Sequence, residues 1–437
     1  GVNRVRDKGW KKERSDARLL EVRRSREAGD PALSYWAAVH RGLTATPDDP
    51  FAAALNGTLD AILPDYPLLS GNRIDPLVDG DEAFPLMQEA IRHARHHVHV
   101  QTFILGNDRV GRDFLDLLAS KAREGVKVRF LYDRFGSSKA LLGGLIRRYR
   151  HVPNLELVGW TQANVIKRQF QVNLRNHRKL LIVDGREAFT GGMNMAAEEV
   201  SLPGRCPMRD YHFALRGPIV QELQYSFMRD WYFMTDEDPD RLLHVDHFPE
   251  TPCQGSALIR VVNGGPTSEV EALTDAFFSA VTASQNQLIA VTPYLVPTGD
   301  ILRALRSAAL RGVDVRLVVP RSNNHPYAGM ASRALYELLL SEGVRIFARR
   351  PPFLHAKALI VDGAFAMVGT SNLDVRSLRL NYETNLAVFD EPFADRMRRI
   401  VQEDVSQSDE IDLGAWRRRP LTQRVIENFC SLLTPIL

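Results

Sequence analysis

The sequence predicts an α/β protein made of two copies of one unit behind a helical arm. From about residue 71, amphipathic helical segments alternate with short apolar segments rich in β-branched residues. The order helix, strand, helix, glycine, strand occurs twice, and the copies share words such as GVKVRFLYDR (125–134) and GVDVRLVVPR (312–321). We therefore predict an internal duplication with a period of roughly 180–190 residues.

Three segments divide the chain in this prediction: a helical arm over 1–70, a first unit over 71–250 and a second unit over 251–437. The length of 437 residues fits two or three domains. The linker is placed at 236–256, where acidic residues, prolines and turn formers accumulate. Apolar residues make up 44% and charged residues 25% of the chain, which excludes a disordered chain, a collagen-like fibre or a coiled coil as the main architecture.

The charge balance and the cysteines narrow the class of protein further. The net charge of +3 is smaller than that of a general polyanion binder, so any attraction to anions must come from local patches. Three widely spaced cysteines support neither a disulfide framework nor a zinc site, and a reducing compartment is the simplest interpretation. We find no apolar run long enough for a transmembrane helix and no signal-peptide core, although a segment in front of Gly1 stays an open alternative.

The arm begins with a highly charged segment. Its first 30 residues hold ten basic and six acidic side chains, and the simplest interpretation is a solvated helix, with a membrane-surface arm as the alternative. Residues 31–69 have a helical pattern. The side chains predicted to face inward there are Trp36, Val39, Phe51, Leu55, Leu59 and Ile62.

Each unit is predicted to hold the same regular elements. In the first unit they are a helix over 82–94, a strand over 98–105, a helix over 114–124 ending at Gly125, and a strand over 126–132. In the second unit they are a helix over 268–283, a strand over 288–296, a helix over 301–310 ending at Gly312, and a strand over 313–320.

One further sequence motif contains the candidate catalytic residues, and it also occurs once in each copy. It reads NHRKLLIVDGREAFTGGMN at 176–194 and LHAKALIVDGAFAMVGTSN at 354–372. Both copies place Lys, Asp, Gly and Asn at the same distances after a His, a match with a chance of roughly one in a few million at a given start. The matched residues are His177, Lys179, Asp184, Gly191 and Asn194 in the first copy, and His355, Lys357, Asp362, Gly369 and Asn372 in the second.

The spacing indicates a phosphate site. Alternation along a strand puts His and Lys on one face, an Asp-Gly turn follows the apolar run, and Asn returns an amide after a bend of small residues. Imidazole, ammonium and amide groups all bind phosphate oxygens, so two such sets are suited to one phosphodiester. Neither copy has a Ser or Cys nucleophile beside a base, or a carboxylate cluster suited to Mg²⁺. A single H-x-K would more simply be a half-buried His beside a solvated Lys, and the duplication argues against that.

The paired words resemble those of the phospholipase D superfamily. Five further segments look like bacterial cardiolipin synthases, and the likeness spans about residues 70–437. They are QTFIL (101–105), TPYLVP (292–297), RDYHF (209–213), DW (230–231) and LNYETN (380–385). The resemblance implies a pseudo-twofold duplicated phospholipase D fold with two mixed β-sheets flanked by helices, behind an N-terminal helical extension. It also implies a metal-independent phosphodiesterase or transphosphatidylase without a cofactor.

Roles for individual residues follow from the same resemblance. It implies that His177 is the nucleophile and His355 the general acid and base, with Lys179, Asn194, Lys357 and Asn372 beside the phosphate. It further implies that Glu383 orients His177 and that Asp210 orients His355. Asp184 and Asp362 are expected to brace their turns rather than touch substrate. In the two bends, Gly192 and Ser371 are candidates for substrate contact.

The leading functional hypothesis is a transphosphatidylase that makes cardiolipin from two phosphatidylglycerol molecules through a phosphohistidine. The alternatives are a phospholipase D that uses water, a nuclease, and a catalytically silent membrane-binding module. Near-zero net charge and the apolar TPYLVP segment argue against nucleic acid. The expected partners are phospholipids and an anionic membrane surface, and the expected location is peripheral on the cytoplasmic side, or anchored through a segment missing from this chain.

Three weaker patterns allow a functional and a structural interpretation. Phe103, Tyr294 and Tyr336 line an acyl groove or belong to the core. The histidines at 93, 96, 97 and 99 span a helix end and a strand start, so we do not expect all four to converge on a metal. Segment 140–175 lacks strong periodicity, and we expect either a basic, mobile flap near lipid headgroups or a solvated surface. Its basic residues include Arg147, Arg148, Arg150, Lys167 and Arg168.

Overall fold

The fold is organised around one mixed β-sheet. A computed structural model describes residues 2–29, 43–160, 174–266 and 271–432, and the fifteen strands found there form a single sheet in the order β15-β11-β10-β9-β12-β13-β14-β8-β1-β7-β6-β5-β2-β3-β4. The strands are β1 (Leu69–Val78), β2 (His97–Thr102), β3 (Lys127–Asp133), β4 (Leu155–Trp160), β5 (Leu180–Val183), β6 (Glu187–Gly191), β7 (Tyr211–Arg216), β8 (Ala257–Gly264), β9 (Gln287–Val291), β10 (Asp314–Pro320), β11 (Arg345–Arg349), β12 (Ala358–Val361), β13 (Phe365–Gly369), β14 (Glu383–Phe389) and β15 (Ser408–Glu410).

Helices cover both faces of this sheet. They are α1 (Val2–Gly29), α2 (Pro50–Ile62), α3 (Asp79–His93), α4 (Arg109–Arg123), α5 (Ser138–Leu142), α6 (Leu145–Arg148), α7 (Ile219–Thr235), α8 (Pro239–Leu242), α9 (Ala272–Ala283), α10 (Gly299–Leu310), α11 (Pro326–Ala334), α12 (Tyr336–Ser341), α13 (Val375–Arg379), α14 (Glu391–Ser406), α15 (Leu413–Arg417) and α16 (Leu421–Ser431). None of these helices is long and apolar enough to cross a bilayer.

The predicted duplication is confirmed by the strand order. In the first half β4, β3 and β2 run parallel, and β5, β6, β7 and β1 follow as antiparallel neighbours. The second half repeats this order with β11, β10, β9, β12, β13, β14 and β8. The two predicted mixed sheets meet edge to edge, because β1 pairs with β8 through Leu69–Ile259 and Asn72–Ala257. The β1–β8 edge therefore joins the halves into one sheet.

The predicted helices and strands of each unit are present, with one systematic difference. Strands β2 and β9 end at Thr102 and Val291, earlier than the apolar pattern suggests. In both halves a threonine hydroxyl then donates to a carbonyl two residues later, from Thr102 to Ile104 and from Thr292 to Tyr294, each at 3.1 Å. The chain thus leaves the sheet at equivalent points in the two halves. The aromatic residues that follow are Phe103 and Tyr294.

The N-terminal helix packs onto the body, so the expectation of a solvated helix is wrong. Lys12, Asp16 and Leu19 of α1 are buried. The Lys12 ammonium lies 3.3 Å from Asp230 Oδ1 on α7, and Asp230 Oδ2 accepts a hydrogen bond from Arg178 at 2.9 Å. The hydrophobic periodicity of this segment is too weak to predict the contact. Ion pairs of buried side chains, such as Lys12 with Asp230, contribute much of the packing of α1 against α7. The arm reaches the layer behind the first H-x-K word.

The second part of the arm and segment 140–175 are more regular than their sequences indicate. Of the predicted inward residues, Leu55 and Leu59 are buried on α2, Phe51 and Ile62 are half-buried, and Trp36 and Val39 lie outside the described residues. Segment 140–175 was predicted as a loop, but its described part holds the end of α5, all of α6 and strand β4. Lys167 and Arg168 lie outside the described residues, and Arg147, Arg148 and Arg150 are exposed.

Candidate active site

The two H-x-K words meet at the junction between the halves. Each is held there by a backbone bridge to the other half, since Asn176 pairs with Tyr382 and Leu354 pairs with Arg209. His177 N–H donates to the Tyr382 carbonyl at 2.9 Å, and His355 N–H donates to the Arg209 carbonyl at 2.8 Å. The motif strands β5 and β12 begin only after Lys179 and Lys357, so the His and Lys residues form an extended lead-in rather than strand positions.

Each bridge brings the imidazole of one half to a carboxylate of the other. His177 Nδ1 lies 3.0 Å from Glu383 Oε2, and His355 Nδ1 lies 2.6 Å from Asp210 Oδ2. Both carboxylates are fully buried, and both histidines are about 8% exposed. With Nδ1 bonded to a carboxylate, Nε2 of each ring is the nitrogen available to a substrate.

Other neighbours fix the carboxylates in turn. Glu383 Oε2 accepts a short hydrogen bond from the Thr370 hydroxyl, and its Oε1 accepts from Asn381 at 3.3 Å. Asp210 Oδ1 accepts from the backbone N–H of Tyr211 at 2.7 Å. Because the carboxylates have several donors, each can hold its imidazole in one orientation.

The two lysines lie beneath the histidines but are bonded differently. Lys179 Nζ donates to the His177 carbonyl at 2.8 Å. Lys357 Nζ donates to the His355 carbonyl and also lies 3.0 Å from His355 Nδ1. Both ammonium groups are almost completely buried. The second histidine therefore shares its environment with a nearer cation than the first.

The two asparagines and the small residues of the bends play different parts in the two halves. Asn194 Oδ1 accepts the Ile104 N–H at 3.1 Å, which leaves its amide NH₂ at the cavity. The Asn372 side chain is hydrogen-bonded to Asp374. A Cβ on Gly192 would lie 2.1 Å from Asp210 Oδ1, so this glycine makes room for the carboxylate. Ser371 Oγ accepts from Asn385 Nδ2 at 2.7 Å within the bend.

Asp184 and Asp362 lie in turns at the far ends of their strands. The Asp184 carboxylate accepts the backbone N–H groups of Arg95, His96 and His97 at 2.8–2.9 Å. Asp362 does the same for residues 285–287 at 2.7–2.8 Å. Both aspartates have a left-handed backbone, with φ of 51° and 52°. Their geometry is that of a turn brace, and the absence of a contact with substrate stays a prediction.

A cavity of about 360 Å³ opens over the two histidines. Phe103 and Tyr294, which follow β2 and β9, line it, whereas Tyr336 is buried against Trp416 elsewhere. Other lining residues include Phe135, Arg175, Asn194, Glu198, Met208, Val296, His325, Tyr327, Asn372 and Arg376. The wall therefore combines apolar and aromatic side chains with the cationic Arg175 and Arg376 and the acidic Glu198 and Asp374.

Burial dominates the electrostatics of the site. It lowers the pKa of His177 and of His355 to about 4, although Glu383 and Asp210 oppose the shift. Burial and the second lysine lower the pKa of Lys179 to about 7, and burial also lowers the pKa of Lys357. Lys357 and His355 hold the pKa of Asp210 at about 2 despite its burial. Burial thus favours neutral imidazoles, while Asp210 and Glu383 have lowered pKa values that favour their charged forms.

One buried carboxyl group at the site was missed by sequence reasoning. Glu199 Oε1 accepts the Asn194 N–H at 3.0 Å, and its Oε2 is buried without a hydrogen-bond partner. Burial and the nearby Asp210 raise the pKa of Glu199 well above its usual value. The duplication gives no signal for it, because the residue five positions after Asn372 is Ser377.

Glu199, Asp210 and His355 also form a group whose ligand atoms lie within 4.8 Å of one another, the one group in the described ranges with spacing suited to a metal ion. His355 Nδ1 is already bonded to Asp210, and Lys357 Nζ lies 3.0 Å from that nitrogen. The ammonium group thus occupies the position next to the imidazole where a metal ion would need to approach. The donor set fits a proton network better than a metal centre.

Three of the four clustered histidines converge after all, together with a fourth from the linker. The rings of His96, His97, His99 and His247 have centroids 4.6–5.9 Å apart, while His93 lies on the surface and bonds Glu89. Arg129 NH1 approaches His99 and His247 at 3.2 and 3.3 Å. Burial lowers the pKa of His97 to about 3. The cluster packs around the Arg129 guanidinium and attaches the linker to the first half.

Two histidine–carboxylate pairs crossing between duplicated halves, with two lysines beside one cavity, define a phospholipase D-type phosphodiester transferase site. The family model described as "Cardiolipin synthase, PLD-like domain" matches residues 87–231 and 278–405. The chain belongs to this family, the cardiolipin synthase-like phosphatidyltransferases of the phospholipase D superfamily.

Curated relatives support the assignment over most of the chain. Cardiolipin synthase 2 of Bacillus anthracis is 35% identical over 370 residues, which cover 83% of this chain and 70% of that protein. Cardiolipin synthase A of Pseudomonas entomophila (strain L48) is 36% identical over 408 residues, covering 93% of this chain and 83% of the relative. The crystal structure of phosphatidylserine synthase from Haemophilus influenzae Rd KW20 shares the fold, with a TM-score of 0.67 at 16% identity over 87% of this chain and all of that chain.

The turn geometry predicts that Asp184 and Asp362 act on stability. Asp184→Ala removes the acceptor of three backbone N–H groups, so we expect the free energy of unfolding to fall by about 2 kcal/mol. Asp184→Asn keeps an acceptor and tolerates positive φ, and should lose less. Urea denaturation measures both, and Asp362 provides the matched pair of variants. A variant that loses turnover while its unfolding curve stays unchanged would contradict the assignment.

Proposed function

We propose that the chain transfers the phosphatidyl group of one phosphatidylglycerol to the hydroxyl of another, giving cardiolipin and glycerol. The observation that carries this proposal is the pair of crossed histidine–carboxylate contacts, His177–Glu383 and His355–Asp210, over one cavity. Such a pair can supply a nucleophile and an acid at the same phosphorus. Because the substrates are bilayer lipids, we place the cavity against an anionic membrane surface.

In the first step, His177 Nε2 attacks the phosphorus of the donor lipid. A P–N bond forms and the bond from phosphorus to the glycerol headgroup oxygen breaks, while protonated His355 gives its proton to that oxygen. Glycerol leaves, and the phosphatidyl group is held on His177. Glu383 stabilises the positive imidazole ring that carries it.

In the second step, the headgroup hydroxyl of a second phosphatidylglycerol attacks the same phosphorus. His355, now neutral, accepts the hydroxyl proton, a P–O bond forms and the P–N bond to His177 breaks. The product is cardiolipin, and both histidines return to their starting states. No metal ion or cofactor is needed to balance either step.

The remaining groups stabilise the charge on the non-bridging oxygens. We assign this role to Lys179 and Lys357, which are bonded to the backbone of the two histidines, and to the amide of Asn194, which lines the same cavity. A donor aimed at a developing oxyanion typically contributes about 10²–10³ in rate. A bound phosphodiester adds a negative charge beside these groups, so it should raise the pKa values of His355 and Lys179 and favour protonation of the acid.

The products formed from defined lipids test this function. We expect purified protein with phosphatidylglycerol vesicles to release glycerol and form cardiolipin in equal amounts, without added metal and in the presence of a chelator. Mass spectrometry of the lipids and an enzymatic glycerol assay measure both products. Phosphatidic acid as the only lipid product would replace the synthase with a phospholipase D that uses water.

Trapping the covalent intermediate tests the two histidine roles. His355→Ala lacks the base of the second step, so with a donor whose leaving group needs no proton, such as phosphatidyl-p-nitrophenol, we expect a phosphatidyl group to remain on His177. Turnover should fall by about 10³-fold or more in both His177→Ala and His355→Ala. Alkaline peptide mapping locates the adduct, and His93→Ala, at the surface, is the control. An adduct on His355 in His177→Ala protein would reverse the assignment.

A further inference from the structure

Two arginines, one from each half, line the cavity beyond the catalytic histidines. Arg175 lies two residues before His177, and Arg376 lies on α13 shortly after the second motif. The Arg175 guanidinium stacks on the Phe135 ring at 3.7 Å from its centroid, and its Nε is buried without a hydrogen-bond partner. Within the described ranges, Arg175 has no salt bridge to a carboxylate, although it is half-buried.

Two carboxylates near Arg175 and Arg376 accept backbone hydrogen bonds. The Asp133 carboxylate accepts backbone N–H groups of Phe135, Gly136 and Asn176 at 2.9–3.0 Å. Asp374 Oδ1 caps α13 through the Ser377 N–H. Both arginines line the cavity over the two histidines, and burial together with the charge of Arg376 lowers the pKa of Arg175 to about 10. A phosphate anion in this part of the cavity would offset the cost of burying the Arg175 guanidinium.

We propose that Arg175 and Arg376 bind the phosphodiester of the acceptor lipid. This inference rests on the proposed function and specifies its second substrate. In a transfer between two phosphatidylglycerols, the attacking hydroxyl belongs to a molecule that carries its own phosphate a glycerol length away. The two H-x-K words hold the donor phosphate, so a second anion site in the same cavity is required for the acceptor. Guanidinium groups hold phosphate by paired hydrogen bonds, which would also orient the attacking hydroxyl.

Competition between acceptors tests this subsite. Phosphatidylglycerol vesicles with added ethanol give cardiolipin from the anionic acceptor and phosphatidylethanol from the neutral one, with the same donor chemistry. For Arg175→Gln and Arg376→Gln we expect the ratio of cardiolipin to phosphatidylethanol to fall about tenfold, as for the loss of one charge-assisted contact. Arg175→Lys keeps the charge and should give an intermediate ratio. Arg147→Gln, an exposed arginine on α6, is the matched control.

An unchanged ratio in folded Arg175→Gln and Arg376→Gln proteins would overturn the subsite, whatever happens to total turnover. If the wild-type protein makes no cardiolipin, the proposed function fails separately. Calorimetric titration with glycerophosphoglycerol then still decides the subsite, because equal affinity of the wild-type and arginine variants would contradict it.

A second inference rests on α16, a surface helix that exposes apolar side chains to solvent and buries the charged Glu427. The exposed side of this helix carries Thr422, Gln423 and Asn428, and it also carries several apolar residues. The apolar residues are Leu421, Val425, Ile426 and Phe429, with Leu432 directly after the helix, and they are 52–74% exposed. The inward side carries Glu427 and Cys430. Burial within the protein therefore does not account for the exposed apolar residues of α16.

The inward side of α16 fixes it to the wall of the cavity. Glu427 Oε1 accepts from Arg333 Nε of α11 at 2.8 Å, and Cys430 Sγ lies 3.7 Å from Met330 Sδ. Cys430 also packs in one cluster with Val296, which lines the active-site cavity. At the same entrance Phe135 and Tyr327 are about half exposed. The outward face of α16 thus lies one layer from the cavity.

Arginines outnumber acidic residues in the ion pairs of α16 and its neighbours. Glu337 is shared by Arg417 and Arg424, and Glu427 is shared by Arg333 and Arg419, while Arg418 is an additional exposed cation. Five arginines thus accompany two glutamates near the exposed apolar residues. This combination is complementary to the acyl and phosphate layers of an anionic bilayer.

We infer that α16 lies in the surface of an anionic phospholipid bilayer, with its exposed apolar residues among the acyl chains and the cavity turned to the membrane. This rests on the proposed function for its choice of partner. Val425→Asp/Phe429→Asp should weaken binding to mixed phosphatidylglycerol–phosphatidylcholine vesicles at least about tenfold in a flotation assay. Leu310→Asp, an equally exposed apolar residue at the end of α10, should bind as the wild type does.

Three outcomes would overturn the membrane face. The first is vesicle binding by the double variant equal to that of the wild type, and the second is no vesicle binding by the wild type. The third is a wild-type protein that is dimeric and a double variant that is monomeric but still binds vesicles. Light scattering with size-exclusion chromatography measures the last of these. Binding is independent of turnover, so failure to make cardiolipin would leave this result intact and would count against the proposed function alone.

Discussion

The site depends on the two backbone bridges that tie each motif to the opposite half. Asn176–Tyr382 and Arg209–Leu354 place the residue after each bridge, Glu383 or Asp210, beside the histidine of the other copy. Neither half alone holds a complete histidine–carboxylate pair. The halves are further joined by the continuous sheet through β1 and β8, and strands β2 and β9 end at equivalent points in the two copies.

Burial then sets the chemistry of the assembled groups. Burial lowers the pKa of His177 to about 4 and that of Lys179 to about 7, so it disfavours the protonated form of both groups. In the proposed function, a bound phosphodiester anion would favour protonation again. The two halves differ in the position of the lysine. Lys357 Nζ lies beside the ring of His355, whereas Lys179 Nζ donates to the backbone carbonyl of His177.

Much of this architecture was predictable, for identifiable reasons. A fixed spacing repeated in two copies locates His177 and His355, and hydrophobic periodicity locates the helices and strands beside them. The partners Glu383 and Asp210 came only from resemblance, because their pairing is set by contacts between the halves that no local pattern records. Glu199 escaped prediction, since it is present in one copy and its role depends on burial. The packing of α1 escaped prediction too, as Lys12 and Asp16, two of the side chains that it buries, are ionic.

The exchange of acids between the halves has a consequence for how such a protein can change over time. Each imidazole contacts a carboxylate that lies more than a hundred residues away in the other copy, in the pairs 177–383 and 355–210. A substitution at one histidine therefore changes the surroundings of an acid in the opposite half. After the duplication, the two repeats were therefore no longer free to diverge separately. The unit that must be kept together is each crossed pair, because the carboxylate of one half contacts the histidine of the other.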